Sequence, residues 1–198
     1  MANFFTADLH FCHAGMLSDR SCARPFADVH AMNEAMVARW NETVGRGDDV
    51  WVVGDFAYKA GRGRIAEIFE RLNGIKRLVP GNHDHRQVTS LPWKEILPNN
   101  VEVTDGDETF VLNHYPMMTW NKKRWGHKHL YGHVHAVIPG TSQSLDVGVD
   151  AWGFRPVSTE RILAAMARLP VVEPRTDSPR ISFVEGEEEV YEPRGFGP

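Results

Sequence analysis

Five short polar clusters carry the residue types that bind divalent cations: Asp8-Leu9-His10, Gly54-Asp55, Gly81-Asn82-His83-Asp84, Asn113-His114 and Gly132-His133-Val134-His135. Asp8, His10, Asp55, Asn82, His114, His133 and His135 are the candidate ligands, with His83 left over. Asp8 and His10 lie two residues apart, which in an extended segment puts both side chains on one side, within reach of one ion. His133 and His135 repeat that spacing, and each can serve a different ion. Asp55 follows Gly54, whose missing side chain permits a sharp turn at a strand end. With two carboxylate oxygens, Asp55 is the candidate bridge between two cations. This mixed oxygen and nitrogen set, free of thiolate, favours Mn²⁺ first, with Fe or Zn²⁺ as alternatives, over Ca²⁺ or a structural zinc.

Two divalent ions held about 3.5–4 Å apart activate a bridging water and clamp both oxygens of an in-line phosphoryl displacement. Such a site hydrolyses phosphate esters by attack of metal-bridging hydroxide and requires no serine or cysteine nucleophile. The leaving alkoxide needs a proton, and His83 is the candidate acid, with Asp84 expected to hold its other ring nitrogen. Three further residues are candidate substrate contacts. His13 either meets substrate phosphate or lines the cleft; Arg24 either binds phosphate or fixes the turn before Pro25. His129 ends the segment Trp120–His129, whose cations and two Trp either grip a nucleotide by charge and stacking or form a solvated loop. Asp146 and Asp150 are candidate partners of the His ligands, or strand-end residues.

Most of the clusters follow a stretch that reads as a β-strand. Asn3 to Asp8 is a short buried strand with Phe4 and Phe5, and Asp49 to Val53 runs into Gly54-Asp55. Between them, Met32, Met36, Val37 and Trp40 recur at helical spacing behind an Asp28 N-cap, predicting a helix to Thr43. Ile65, Ile68, Phe69 and Leu72 predict a second helix from Arg62 to Asn73, stopped by Gly74. Lys76 to Val79 is the next strand. The second half holds strand candidates at Val101–Thr104, Glu108–Asn113, His129–Gly132 and Leu145–Val149, then a helix from Ser158 through Met166. Strand, helix, strand alternation followed by clustered strands predicts an α/β fold with two sheets packed face to face and helices outside.

Residues 1–169 are expected to form one domain, since 198 residues with 42% hydrophobic content support a normal core. Residues 170–198 read as an acidic, Pro-rich tail with one possible edge strand at Ile181–Val184. The net charge of -4 resides there, three Arg against seven acidic residues, and leaves a formally neutral body. No strongly basic face for nucleic acid is expected. No apolar run approaches the roughly 18 residues of a membrane span. A cleavable signal peptide would remove the strand before Asp8, so a cytoplasmic protein is expected. Cys12 and Cys22 form neither a CxxC pair nor a disulfide framework.

The clusters, taken in order, resemble the calcineurin-like metallophosphoesterases, whose motifs are DxH, GD, GNH[DE], a lone His and GHxH. The resemblance runs from about Asn3 to Gly153. It implies one metal held by Asp8, His10, Asp55 and His135, a second held by Asp55, Asn82, His114 and His133, and His83 as the phosphate-contacting acid. It also implies a four-layer α/β/β/α sandwich. Phe5-Thr6-Ala7-Asp8-Leu9-His10-Phe11, Arg24-Pro25-Phe26, Met32-Asn33-Glu34, Trp40-Asn41, His114-Tyr115-Pro116 and Asp146–Trp152 are similar to a small bacterial and phage branch of predicted phosphoesterases. That branch carries glycine where Cys12 stands. The expected function is therefore dinuclear phosphoesterase, with a phosphodiester placed ahead of a monoester because so short a chain has little room for a cap over its cleft. The rivals are a phosphomonoesterase acting on a nucleotide or phosphoprotein, and a non-catalytic metal-binding scaffold.

Overall fold

The computed structural model of the chain describes residues 1–19 and 22–172. Residues 173–198, the greater part of the acidic tail with its expected strand at Ile181–Val184, lie outside the described residues. Among the described residues the protein is a mixed α/β fold with two sheets and four α-helices. In the first sheet, β1 (Asn3–Thr6), β2 (Asp49–Val52), β3 (Ile75–Leu78) and β4 (Glu95–Ile96) run parallel, and β9 (Val157–Ser158) closes the other edge antiparallel to β1. The order is β4-β3-β2-β1-β9. The second sheet, in order β5-β6-β7-β8, is built from β5 (Val101–Asp105), β6 (Glu108–Leu112), β7 (Lys128–Tyr131) and β8 (Ser144–Asp146). Strands β5 and β6 form a tight hairpin in which Asp105 pairs with Glu108 and Gly106 takes the left-handed backbone, φ +59°. Only a residue without Cβ enters that turn freely.

Alternation along the strands decides which face meets which partner. Phe4, Val50, Val52 and Leu78 join the side chains of α1 (Val29–Thr43) and α2 (Arg62–Arg71) in one core, including Met32, Met36, Trp40, Ile65 and Ile68. Phe5, Ala7, Val53 and Val79 belong to a second core with Val103, Phe110, Leu112 and Leu130 of the other sheet. Phe5 and Phe110 meet across it with ring centroids 5.3 Å apart. Ile162 and Met166 of α4 (Thr159–Met166) complete that core. Burying each of these large apolar side chains contributes roughly 1.5–3 kcal/mol.

Local signals set the helix ends. Asp28 accepts the N–H of Ala31 at 2.7 Å and starts α1, and Ser158 caps α4 through the N–H of Arg161. Helix α2 stops at Arg71, two residues short of expectation. The α1 residue Asn41 binds the N–H of Asn73 at 2.8 Å, and Trp40 Nε1 takes the Asn73 carbonyl at 2.9 Å, drawing that backbone out of the helix. The four-residue helix α3 (Arg86–Thr89) and the two-residue strands β4 and β9 carry no periodicity long enough to read. No helix among the described residues is long and apolar enough to cross a membrane.

The consequence for chemistry is a shared rim. The parallel strands β1, β2 and β3 end just before Asp8, Asp55 and Asn82, while β6 and β7 end just before His114 and His133. Strand ends on both sheets thus deliver side chains to one crevice, where ligands of open α/β sheets bind.

Candidate metal centre

The seven predicted ligands converge. One donor atom from each of Asp8, His10 and His135 lies within 4.8 Å of the others, and the same holds for Asp8, Asp55 and His114. Asp55 Oδ2 stands 3.5 Å from His10 Nε2 and 3.4 Å from His114 Nε2, so it faces one imidazole from each expected set. Asn82 Oδ1 lies 3.0 Å from His114 Nε2 and 3.1 Å from His133 Nδ1. His10 and His135 stack with centroids 5.2 Å apart.

The backbone is bent to achieve this. Asp8, His10, Asp55, His133 and His135 all adopt positive φ, between 47° and 71°. A non-glycine residue in that region costs of order 1–3 kcal/mol and persists only where its surroundings over-determine it. Here the surroundings do. The His133 N–H donates to both Asp8 oxygens at 3.0 and 2.9 Å, the His10 N–H donates to the Asp55 carbonyl at 2.9 Å, and the His83 N–H donates to Asp55 Oδ1 at 2.9 Å. Gly132 and Gly148 press against Asp8, since a Cβ at either would sit 2.7 Å from Asp8 Oδ2.

Burial and neighbouring charges set the protonation of these donors. Burial raises the Asp8 carboxyl to about 7, although His135 and His114 pull the other way. Burial drives His10 down to about 3 against the pull of Asp55, leaving a neutral imidazole. Burial would also raise Asp55, but the His114 hydrogen bond and charge and the His83 N–H outweigh it and bring it to about 2. His10 Nε2 is buried and has no hydrogen-bond partner. A buried ring nitrogen without a hydrogen-bond partner, beside carboxylates held away from water, fits a divalent cation. His114 Nδ1 meets the Val53 carbonyl at 2.9 Å and directs Nε2 inward.

The other predicted residues divide. His83 and His13 sit at the crevice: the His83 ring is 5.4 Å from His10, and His13 Nδ1 is 3.3 Å from His10 Nδ1. Asp84 does not hold His83. Its Oδ2 accepts the N–H groups of Asp55 and Gly81 at 2.8 Å each, and Oδ1 accepts that of Phe56 at 2.9 Å, so both oxygens clamp backbone. Arg24 is no phosphate contact. It is buried, with its guanidinium consumed by Asp150, the Asp8 carbonyl and the Leu9 carbonyl. His129 is a core residue: Nδ1 meets the Val111 carbonyl at 2.9 Å and Nε2 accepts the Met117 N–H at 3.1 Å. In its segment Trp120 is buried, donating Nε1–H to the His127 carbonyl, while Trp125 is exposed. Lys122 and Lys128 pair with Glu102 and Glu108. Asp150 accepts from His135 Nδ1 at 2.8 Å, as one expectation had it, whereas Asp146 instead holds the N–H groups of Gly148 and Ala136.

Two aromatic neighbours were not among the expected site residues. Tyr58 packs its ring 4.5 Å from His83 and 4.4 Å from His13, and Tyr115 lies 4.6 Å from His133. Tyr58 follows Asp55 by three residues, the one signal it offers in the chain, and Tyr115 follows His114 directly within the His114-Tyr115-Pro116 segment.

Fold and site together define a two-sheet α/β protein with Asp and His donors grouped at the strand ends. The chain is 30% identical over 180 residues to the Gene 66 protein of Mycobacterium phage D29, an alignment covering 75% of this chain and 88% of the relative, and it belongs to that protein's family. It is also 29% identical over 184 residues to an uncharacterized protein of Methanocaldococcus jannaschii, covering 88% of this chain and 96% of the relative. Among solved structures, a protein of unknown function from Aquifex aeolicus shares the fold, with a TM-score of 0.64 at 19% identity over 83% of this chain and 98% of that one. No protein-family model matches the chain.

Proposed function

We propose that this protein is a phosphoesterase dependent on two divalent metal ions, of the calcineurin-like metallophosphoesterase kind with its four-layer sandwich. The carrying observation is the meeting of Asp8, His10, Asp55, His114 and His135 at one crevice, with buried His10 Nε2 facing Asp55 but lacking a hydrogen-bond partner. In this reading Asp8, His10, Asp55 and His135 hold one ion, Asp55, Asn82, His114 and His133 hold the other, and Mn²⁺ is the first candidate, ahead of Fe or Zn²⁺. When bound, the pair supplies Lewis acidity toward phosphoryl oxygens and lowers the pKa of water.

The chain's own groups do the rest. Neutral His10 offers a lone pair where a protonated ring would repel cations. Ionised Asp55 contributes negative charge at the point where the two donor sets meet. Asp84, by clamping Asp55, Phe56 and Gly81, keeps the two loops in register so that Asn82 and His83 reach the crevice. His83 rests edge-on against Tyr58 and beside His10, a position from which its ring can give a proton to the leaving oxygen. His13 lines the same wall and is the candidate phosphate contact. Asn82 and His133 are exposed, so the second set of donors is open to an ester with substituents on both sides. That openness favours a phosphodiester over a monoester.

The test is to strip metal with chelator, reload with Mn²⁺, Zn²⁺ or Fe²⁺, and assay a chromogenic monoester, a phosphodiester and a panel of cyclic nucleotides. Metal-dependent turnover, highest on a diester, is expected. Two bound ions with no turnover on any ester would reduce the protein to a metal-binding scaffold.

A further inference from the structure

Arg24 is buried, with carboxylate and carbonyl oxygens and two methionine sulfurs around its guanidinium. Its Nε and Nη2 donate to Asp150 Oδ1 and Oδ2, both at 2.8 Å, in the parallel fork that a planar guanidinium makes with a carboxylate. Nη2 also reaches the Asp8 carbonyl at 2.5 Å, and Nη1 the Leu9 carbonyl at 2.9 Å. Met32 and Met36 close over Nη1, with sulfurs at 3.8 and 4.0 Å. Asp150 Oδ2 then accepts His135 Nδ1–H at 2.8 Å. That bond fixes the tautomer and leaves Nε2 as the nitrogen able to ligate.

We propose that Arg24 is the positioning residue for one half of the metal centre, an inference that rests on the two-ion reading above. A single buried guanidinium grips the carbonyls of Asp8 and Leu9, the two residues before His10, and, through Asp150, orients His135. Asp8, His10 and His135 are three donors of the first ion's set. The first two sit on the strained turn whose carbonyls Arg24 holds. Among the described residues its guanidinium hydrogen bonds go to Asp150, Asp8 and Leu9, and to none of Asn82, His114 or His133. The effect is therefore one-sided. Arg24 presets the first ion's ligands and leaves the second ion's alone. Asp150 also neutralises the guanidinium, so a fixed positive charge can stand beneath a cation site without repelling its occupant.

The experiment titrates the metal-free full chain with Mn²⁺ by calorimetry, in the wild type, Arg24→Met and Asp150→Asn, and reads the His135 ring nitrogens by long-range ¹H–¹⁵N correlation. Arg24→Met should weaken one of two Mn²⁺ ions about 10- to 100-fold, the range for lost support of a ligand. The other ion should stay within about threefold of its wild-type affinity. Asp150→Asn should do the same and turn its amide toward His135, moving the proton from Nδ1 to Nε2. Equal weakening of both ions, or no weakening, overturns the proposal, as does an unchanged His135 tautomer in Asp150→Asn. If Arg24→Met does not fold, Asp150→Asn alone decides. A wild type that binds no Mn²⁺ overturns the two-ion reading instead, and the proposal with it, whereas one-sided behaviour of the variants can be lost while wild-type binding stands.

Discussion

The carboxylate of Asp84 accepts the backbone N–H of Asp55 at 2.8 Å, so the residue after His83 in the chain fastens the candidate bridging ligand rather than the candidate acid. With Phe56 and Gly81 it satisfies three backbone donors, those of Asp55 and Phe56 buried and that of Gly81 half-buried, and burial keeps its own carboxyl above the usual range. Asp84→Ala would leave those donors unpaired, at about 1–3 kcal/mol each. The variant should lose thermal stability and bound metal together. Slowed turnover at unchanged melting temperature would instead restore Asp84 as the partner of His83.

His83 separates a catalyst from a container for metal. His83→Ala should retain two ions per chain and slow turnover by about 100-fold or more, the range for loss of a general acid. Metal content and kcat measured on one preparation check this. Loss of an ion from that variant would make His83 a ligand.

Asp55 stands between the two donor sets, 3.5 Å from His10 and 3.4 Å from His114. Asp55→Asn should weaken both ions together in a calorimetric titration. Weakening of a single ion would place the bridge elsewhere, with Asp8, which belongs to both donor groups, the next candidate.

The Asp150–His135 pair gives the metal-free protein a characteristic pH response. Burial disfavours charge on both, but their mutual bond, with Arg24 beside Asp150 and Asp8 near His135, lowers Asp150 and raises His135. The His135 contribution is complete below its unfolded value of about 6.5 and fades as pH rises through its raised folded value. The Asp150 contribution is present above about 3.9 and fades as pH falls through its depressed value. Asp150→Asn should therefore cost most stability near pH 5–6 and less near pH 9, with a remainder from unpaired Arg24. Thermal unfolding of both metal-free proteins across that range measures it. A penalty that does not change between pH 5 and 9 would contradict the pairing.

What the sequence disclosed follows from the range of the forces involved. Strand ends, and the donor side chains that follow them, were readable because the apolar run, the glycine and the donor sit within a few residues, as at Val52, Gly54 and Asp55. Helix α1 was readable from its cap and apolar spacing. The roles of Arg24 and His129 were not, because their partners are set by tertiary packing: Asp150 lies 126 residues from Arg24, and the Val111 carbonyl 18 from His129. Sequence presents a buried, saturated cation and a free one as the same letter. Asp84 misled for a different reason. Adjacency to His83 suggested a side-chain partner, but the turn there aims its carboxylate back at the amides of the loop after β2.

The central claim is that these loops hold two cations on either side of Asp55. Crystals of the Mn²⁺-loaded protein, measured at the manganese absorption edge, test it most directly. Two anomalous peaks are predicted, one contacted by Asp8, His10 and His135 and the other by Asn82, His114 and His133, with Asp55 touching both. A single peak, or a peak at the Cys22–His135–Asp150 grouping in place of that pair, would contradict the account.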